Sequence, residues 1–334
     1  MRSISLSSSA VNGNQGYGCT MSLAHFAGRV DWLNSEDVMP DMPITRWKMS
    51  VVWLALAIYL LARIGQLWAD RLPSLFLVLL HVLPPAIFAI LHGSILYGRR
   101  GITVFTVCCL GVAGFFELLS LRTGFPFGHY YFTDVMGPKF LGLPFLLVLA
   151  YLGIGYCSWV LALLILGYRD KPLAGVRTVA VPVLAAFLML AWDLAMDPAW
   201  STFDHAWIWQ HGGAIYGVPV SNFFGWYLTA YLFFQSFARF CRSVQCPVPG
   251  RARSFWIAPV LLYLVCAVGN LFLLRLSHAA PMVTDATGQR WATADIFGSC
   301  AVVSLLVMPP LALLAWTRLV RTESGNARSR AVVM

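Results

Sequence analysis

From residue 48 onward the chain is dominated by eight runs of mostly apolar residues separated by short polar stretches. They cover 48–68, 74–97, 102–121, 140–167, 174–196, 219–240, 255–276 and 295–317. An α-helix needs roughly 20 apolar residues to cross the hydrocarbon core of a bilayer. The pattern therefore predicts an all-α fold, a polytopic membrane helical bundle of about eight transmembrane helices. Pro84-Pro85 is the strongest break inside any one run. Residues 1–46 contain Ser, Gly and acids without an apolar core of signal-peptide type. They read as a disordered cytoplasmic N-terminal tail, with a start at Met21 or Met49 as the alternative. Residues 47–320 then form the transmembrane domain and 321–334 a cytoplasmic C-terminal tail.

Composition agrees with that class. Of 334 residues 59% are hydrophobic and 11% charged, against about 25% charged in ordinary soluble domains. The net charge of +9 would suit nucleic acid, but the basic residues stand singly and in pairs between the apolar runs. No nucleic-acid partner is expected; membrane lipid is. With the N-terminus inside, the 23 basic residues divide 17 inside to 6 outside. The positive-inside rule then favours eight crossings, both termini cytoplasmic, and a multi-pass protein of the cell membrane. The eight cysteines contain no CxxC, so Cys108, Cys109, Cys157 and Cys266 read as buried structural thiols. No metal site or cofactor is called for.

Against this apolar background the acids stand out. The stretch Trp192–Trp226 holds Asp193, Asp197 and Asp204, five tryptophans and no Lys or Arg. Glu117 lies inside the third run, where an acid costs on the order of 2–3 kcal/mol unless paired, protonated or wet. A salt bridge to Arg122, a hydrogen bond to a neighbouring helix, and a functional proton donor are the three readings. Asp193 and Asp197 are four apart and share one helix face. Two carboxyls so placed resist joint ionisation, which leaves a proton donor beside an ionised partner. The plainer alternative makes Asp197 an end-of-helix residue with only Asp193 buried.

Topology brings these acids together with two loops. The stretch 122–139 is dense in Gly and Pro and carries Phe127, His129, Tyr130 and Asp134; the stretch 197–218 carries Trp200, Trp207, Trp209 and Tyr216. Both loops fall on the outer side, as do the helix ends bearing Glu117, Asp193 and Asp197. Aromatics at such a boundary also serve as an interfacial belt.

The segments ELLSLRTGFPFGHYYFTDVMGPKFLGLP and WDLAMDP…WIWQHGGAIYGVPVSNFFGW together resemble the CruF-type carotenoid hydratase family of integral membrane proteins. The likeness covers roughly residues 75 to 245. Phe132 stands where the family pattern leads us to expect a second Tyr. The resemblance implies an enzyme of carotenoid biosynthesis, a hydro-lyase without a cofactor. It would add water to the terminal isoprene double bond of an acyclic carotenoid such as lycopene, and a carotenoid glycosyltransferase is a candidate pathway partner. Hydration of that alkene needs an acid, a cation-stabilising surface and a held water. Asp193 or Glu117 would give the proton and Asp197 would be the ionised partner. Trp192, Tyr130, Tyr216 and Trp226 would flank the cation through their ring faces, with Phe127 and Asp134 also at the substrate. His129 and Asn222 would hold the water.

Two other classes compete. Asp193-Leu-Ala-Met-Asp197 is a DxxxD, and aspartate pairs can hold Mg²⁺ against a prenyl diphosphate. The neighbouring loop has no basic residue for phosphate, and no second aspartate-rich helix exists. A non-catalytic carotenoid-binding or transport protein is the other alternative. The seven histidines form no box of the di-iron kind.

Overall fold

A computed structural model describes residues 43–169, 172–244, 251–274 and 281–332. The expected N-terminal tail lies outside these residues up to Met42. Helix α1 is Pro43–Gly65, α2 Ser74–Thr123, α3 Phe145–Ile165, α4 Arg177–Pro198, α5 Val220–Ser243, α6 Arg253–Phe272 and α7 Thr293–Val332. Among the described residues, six helices are long and apolar enough to cross a membrane. The chain is an all-α membrane bundle, and the outward surface says the same. Leu61, Phe115, Phe187, Phe224 and Leu306 are each more than half exposed, an arrangement suited to lipid and unsuited to water.

Helix α2 has 50 residues, and at Gly98 its backbone leaves helical geometry (φ 69°, ψ 178°). That break divides it into two arms, which coincide with the apolar runs 74–97 and 102–121. The expected break at Pro84-Pro85 is not where the chain turns. The helix continues through both prolines, whose fixed φ suits a helix even though each removes a donor. A residue with a Cβ at Gly98 would be strained by about 1–3 kcal/mol. Gly98→Ala is accordingly expected to lower the thermal unfolding midpoint of the detergent-solubilised protein.

Helix α3 sits at the centre, packed on α2, α4, α6 and α7. Its residues Tyr151 to Leu164 are buried on every side, as expected of a helix apolar all round. His92 shows how polar groups survive in this interior. Its Nδ1 meets the Tyr156 hydroxyl at 2.7 Å and its Nε2 the Phe255 carbonyl at 2.9 Å.

Chain direction fixes where function can gather. The second arm of α2 ends at Thr123 and α3 starts at Phe145; α4 ends at Pro198 and α5 starts at Val220. Both connecting loops therefore leave from the same end of the bundle. They pair there, strand β1 (Tyr130–Phe132) antiparallel to β4 (Trp207–Trp209), with Tyr130 opposite Trp209 and Phe132 opposite Trp207. Two further short hairpins, β2–β3 (Lys139–Phe140 with Leu143–Pro144) and β5–β6 (Met282–Thr284 with Arg290–Ala292), complete the strands among the described residues.

Candidate active site

The β1–β4 pair acts as a lid because side chains alternate along a strand. Tyr130, Phe132, Trp207 and Trp209 are all turned inward and buried, whereas Tyr131 between them is 49% exposed. The lid thus presents four aromatic faces to the helix ends beneath. Phe132 packs edge-on against Tyr130 at 5.3 Å, so the position that departs from the family pattern still lines the pocket, without a hydroxyl.

Glu117 comes up from α2 and is 3% exposed. Its Oε1 accepts from the Tyr151 hydroxyl of α3 at 2.6 Å, and its Oε2 from the Tyr130 hydroxyl of the lid. Arg122 is not its partner. Burial, and then the charge of Glu117, push the Tyr130 hydroxyl well above the usual phenol range, so it stays a proton-bearing donor.

Asp193 and Asp197 are both buried, on one face of α4. This rules out the reading in which Asp197 is merely an end-of-helix residue. Asn222, at the start of α5, divides its amide between them, donating to Asp193 Oδ2 at 3.2 Å and to Asp197 Oδ2. The other oxygen of Asp197 accepts from Trp207 Nε1 at 2.9 Å. Ser201 Oγ ties the Asp197 carbonyl at 2.8 Å in the π-type turn Ala199–Phe203. Asp193 Oδ1 is buried and has no hydrogen-bond partner among the described residues.

Around the acids the rings close in. Tyr151 stacks on Trp226 at 4.3 Å with planes 4° apart, and Trp192 meets Trp226 edge-on at 5.7 Å. A pocket between lid and helices is lined by Glu117, Phe127, Tyr130, Asp197, Asn222 and Trp226, among others. Phe127 reaches it because Gly225 has no side chain. A Cβ there would lie 2.6 Å from the Phe127 ring.

Of the residues singled out from the sequence, then, Glu117, Asp197, Phe127, Tyr130, Asn222 and Trp226 share one pocket. Asp193 sits behind Asn222, and Trp192 lines the adjoining cavity. Three others lie apart, which corrects the expectation for them. His129 is exposed and its ring faces His211 at 5.0 Å. Asp134 is exposed and pairs with Lys139 at 2.8 Å, whose hydrogen bond and charge hold its carboxyl below the usual range. Tyr216 bonds Ser299 at 2.6 Å and packs on Trp291, on the far side of the loop. Conversely, Tyr151, Trp207 and Trp209 were not given roles from the sequence. The WIW alternation held the only signal for the last two, and nothing marked Tyr151 within its apolar run.

Comparison with known proteins identifies the family of the chain. Residues 74–286 match a family described as carotenoid biosynthesis protein. A bisanhydrobacterioruberin hydratase of Haloarcula japonica is 35% identical over 114 residues, 34% of this chain and 36% of that protein. The match spans about a third of that relative's length. No solved structure matches the chain. With 213 of the chain's 334 residues inside the family match, this multi-pass membrane protein belongs to the carotenoid biosynthesis protein family.

Proposed function

We propose that the protein is a hydro-lyase that adds water to the terminal isoprene double bond of an acyclic carotenoid end group. The observation that carries this reading is three buried carboxyls, Glu117, Asp193 and Asp197, under an aromatic lid with no Lys or Arg in the pocket. Three carboxyls gathered in one buried site resist joint ionisation, so the cluster holds a proton without needing a cofactor. The hydratase of Haloarcula japonica supports the same reaction class.

In this mechanism Glu117, in the form that carries the cluster's shared proton, gives it to the alkene, since it lines the pocket while Asp193 lies behind Asn222. The proton goes to the less substituted alkene carbon, and the π electrons form the new C–H bond. Positive charge then resides on the tertiary carbon, facing the rings of Tyr130, Trp207 and Trp226. Water held by Asn222 and Asp197 supplies its lone pair to that carbon, and Asp197 takes the proton released. A proton returned to Glu117 through the cluster leaves the acids as they began. The product is a tertiary alcohol.

The same reading includes eight crossings, with Gly98 separating the arms of α2 and α5 crossing despite its weaker hydropathy, and both termini cytoplasmic in the cell membrane. A pathway glycosyltransferase is a fitting partner for the alcohol. Expression in a host that accumulates lycopene tests the activity. Carotenoids heavier by one or two waters are expected; an unchanged carotenoid profile would refute hydration. His129→Ala and Asp134→Asn, both exposed and off the pocket, are expected to keep conversion within about twofold, as ordinary surface changes of about 0.5 kcal/mol do.

A further inference from the structure

Hydration consumes water, and the acids are buried beneath the aromatic lid, so water must have a way in. Three cavities adjoin in series. The acid pocket shares Leu147, Met196 and Trp207 with a larger cavity among α1, α2, α3, α4 and α6. That middle cavity shares Val78, His81 and Trp200 with an outer one, whose mouth carries the exposed Ser74 and Asp204. Trp200 and Trp207, the two rings at the junctions, are nearly parallel, with centroids 6.5 Å apart.

The middle cavity is mostly apolar on the side toward α3 but polar where α1 and α6 meet. Arg63 is 4% exposed and donates through Nη2 to the Cys266 carbonyl at 3.2 Å and to Asn270 Oδ1. It has no carboxylate partner among the described residues, and its Nε is buried without an acceptor. Beside it His81 contacts the Leu77 carbonyl at 2.7 Å and Gln66 Oε1 at 3.1 Å. Asn270 also bonds Ser304 at 2.7 Å, so the group clasps helices together. A clasp alone would not need an uncompensated guanidinium on a cavity wall. Charged side chains inside a membrane are tolerated when paired or when they border water, and this one has only neutral partners, with one buried N–H left without an acceptor.

We propose that this series of cavities is the water route of the enzyme. Water enters past Ser74 and Asp204, is held at the His81–Arg63–Asn270 wall, and passes Trp207 to the acids. The proposal rests on the hydration reading for its purpose but not for its detection. Radiolytic footprinting of the full chain in lipid nanodiscs marks side chains that touch bound water. Oxidation of Met196, Trp200 and Trp207 is expected in the native protein. Val78→Phe, at the junction of the outer and middle cavities, should suppress it at Met196 and Trp207. The same change should lower kcat about tenfold, the scale of a lost water-mediated contact, with KM for the carotenoid unchanged. Ser74→Phe at the exposed mouth gives the same readout should Val78→Phe fold poorly. Native protein without labels at Met196 and Trp207, or labels and kcat unmoved by both variants, would overturn the route. Labels that respond to the variants in a protein that turns over no carotenoid would uphold the route and refute the hydratase reading.

Discussion

Glu117→Gln and Asp197→Asn are each expected to lower carotenoid hydration by about 10²- to 10⁴-fold, the usual contribution of a positioned acid or base. Both are close in shape to the native side chain. Gln at position 117 keeps an acceptor for one tyrosine hydroxyl, and Asn at 197 keeps one for Trp207 Nε1 or Asn222. What each variant loses is the carboxyl that gives a proton, at 117, or takes one, at 197. The split between them separates their roles: a donor variant should be unable to form the cation at all. The Asp197 variant should still protonate the alkene, and so exchange substrate hydrogen with solvent deuterium, while failing to capture water. Conversion and deuterium uptake by mass spectrometry provide the check. Full hydration activity in both variants would remove the acids from the mechanism.

Asn222→Leu is expected to have the largest effect on stability. One amide serves two buried carboxyls, and removing it strands an oxygen on each. A buried polar group left without its partner costs about 1–3 kcal/mol, and more if charged, so the thermal midpoint should fall clearly and activity with it. The double variant Asp193→Leu/Asn222→Leu should recover part of the lost midpoint, because replacing both partners of a buried pair by apolar groups is nearly neutral. It should not recover activity. A double variant no more stable than Asn222→Leu would mean that Asp193 does not depend on this amide.

The helices were legible in the sequence because apolar runs of membrane length leave little choice. The runs 74–97 and 102–121 became the two arms of α2, and Gly98, which tolerates positive φ, marks their junction. Pro84-Pro85 misled, since proline removes hydrogen bonds without forcing a turn when the surrounding bundle holds the helix. Glu117, Asp193 and Asp197 were legible as acids in costly places. Their partners were less so. Tyr151 lies in a run with no polar neighbour, and only packing shows that its hydroxyl reaches Glu117. The inward alternation of Tyr130, Phe132, Trp207 and Trp209 depends on pairing between loops about 75 residues apart, which spacing along one chain does not reveal. His129, Asp134 and Tyr216 looked like site residues because they sit in the right loops. His129 and Asp134 are instead exposed, and Tyr216 packs on Ser299 and Trp291 away from the pocket.

The central claim is that water is added across the alkene by the carboxyl cluster. Its most direct test is to incubate the purified protein in nanodiscs with an acyclic carotenoid in heavy-oxygen water. The account predicts a tertiary alcohol whose new oxygen is the heavy isotope, formed without added cofactor and lost in Glu117→Gln and Asp197→Asn. An alcohol carrying ordinary oxygen, or no alcohol from the native protein, would contradict it.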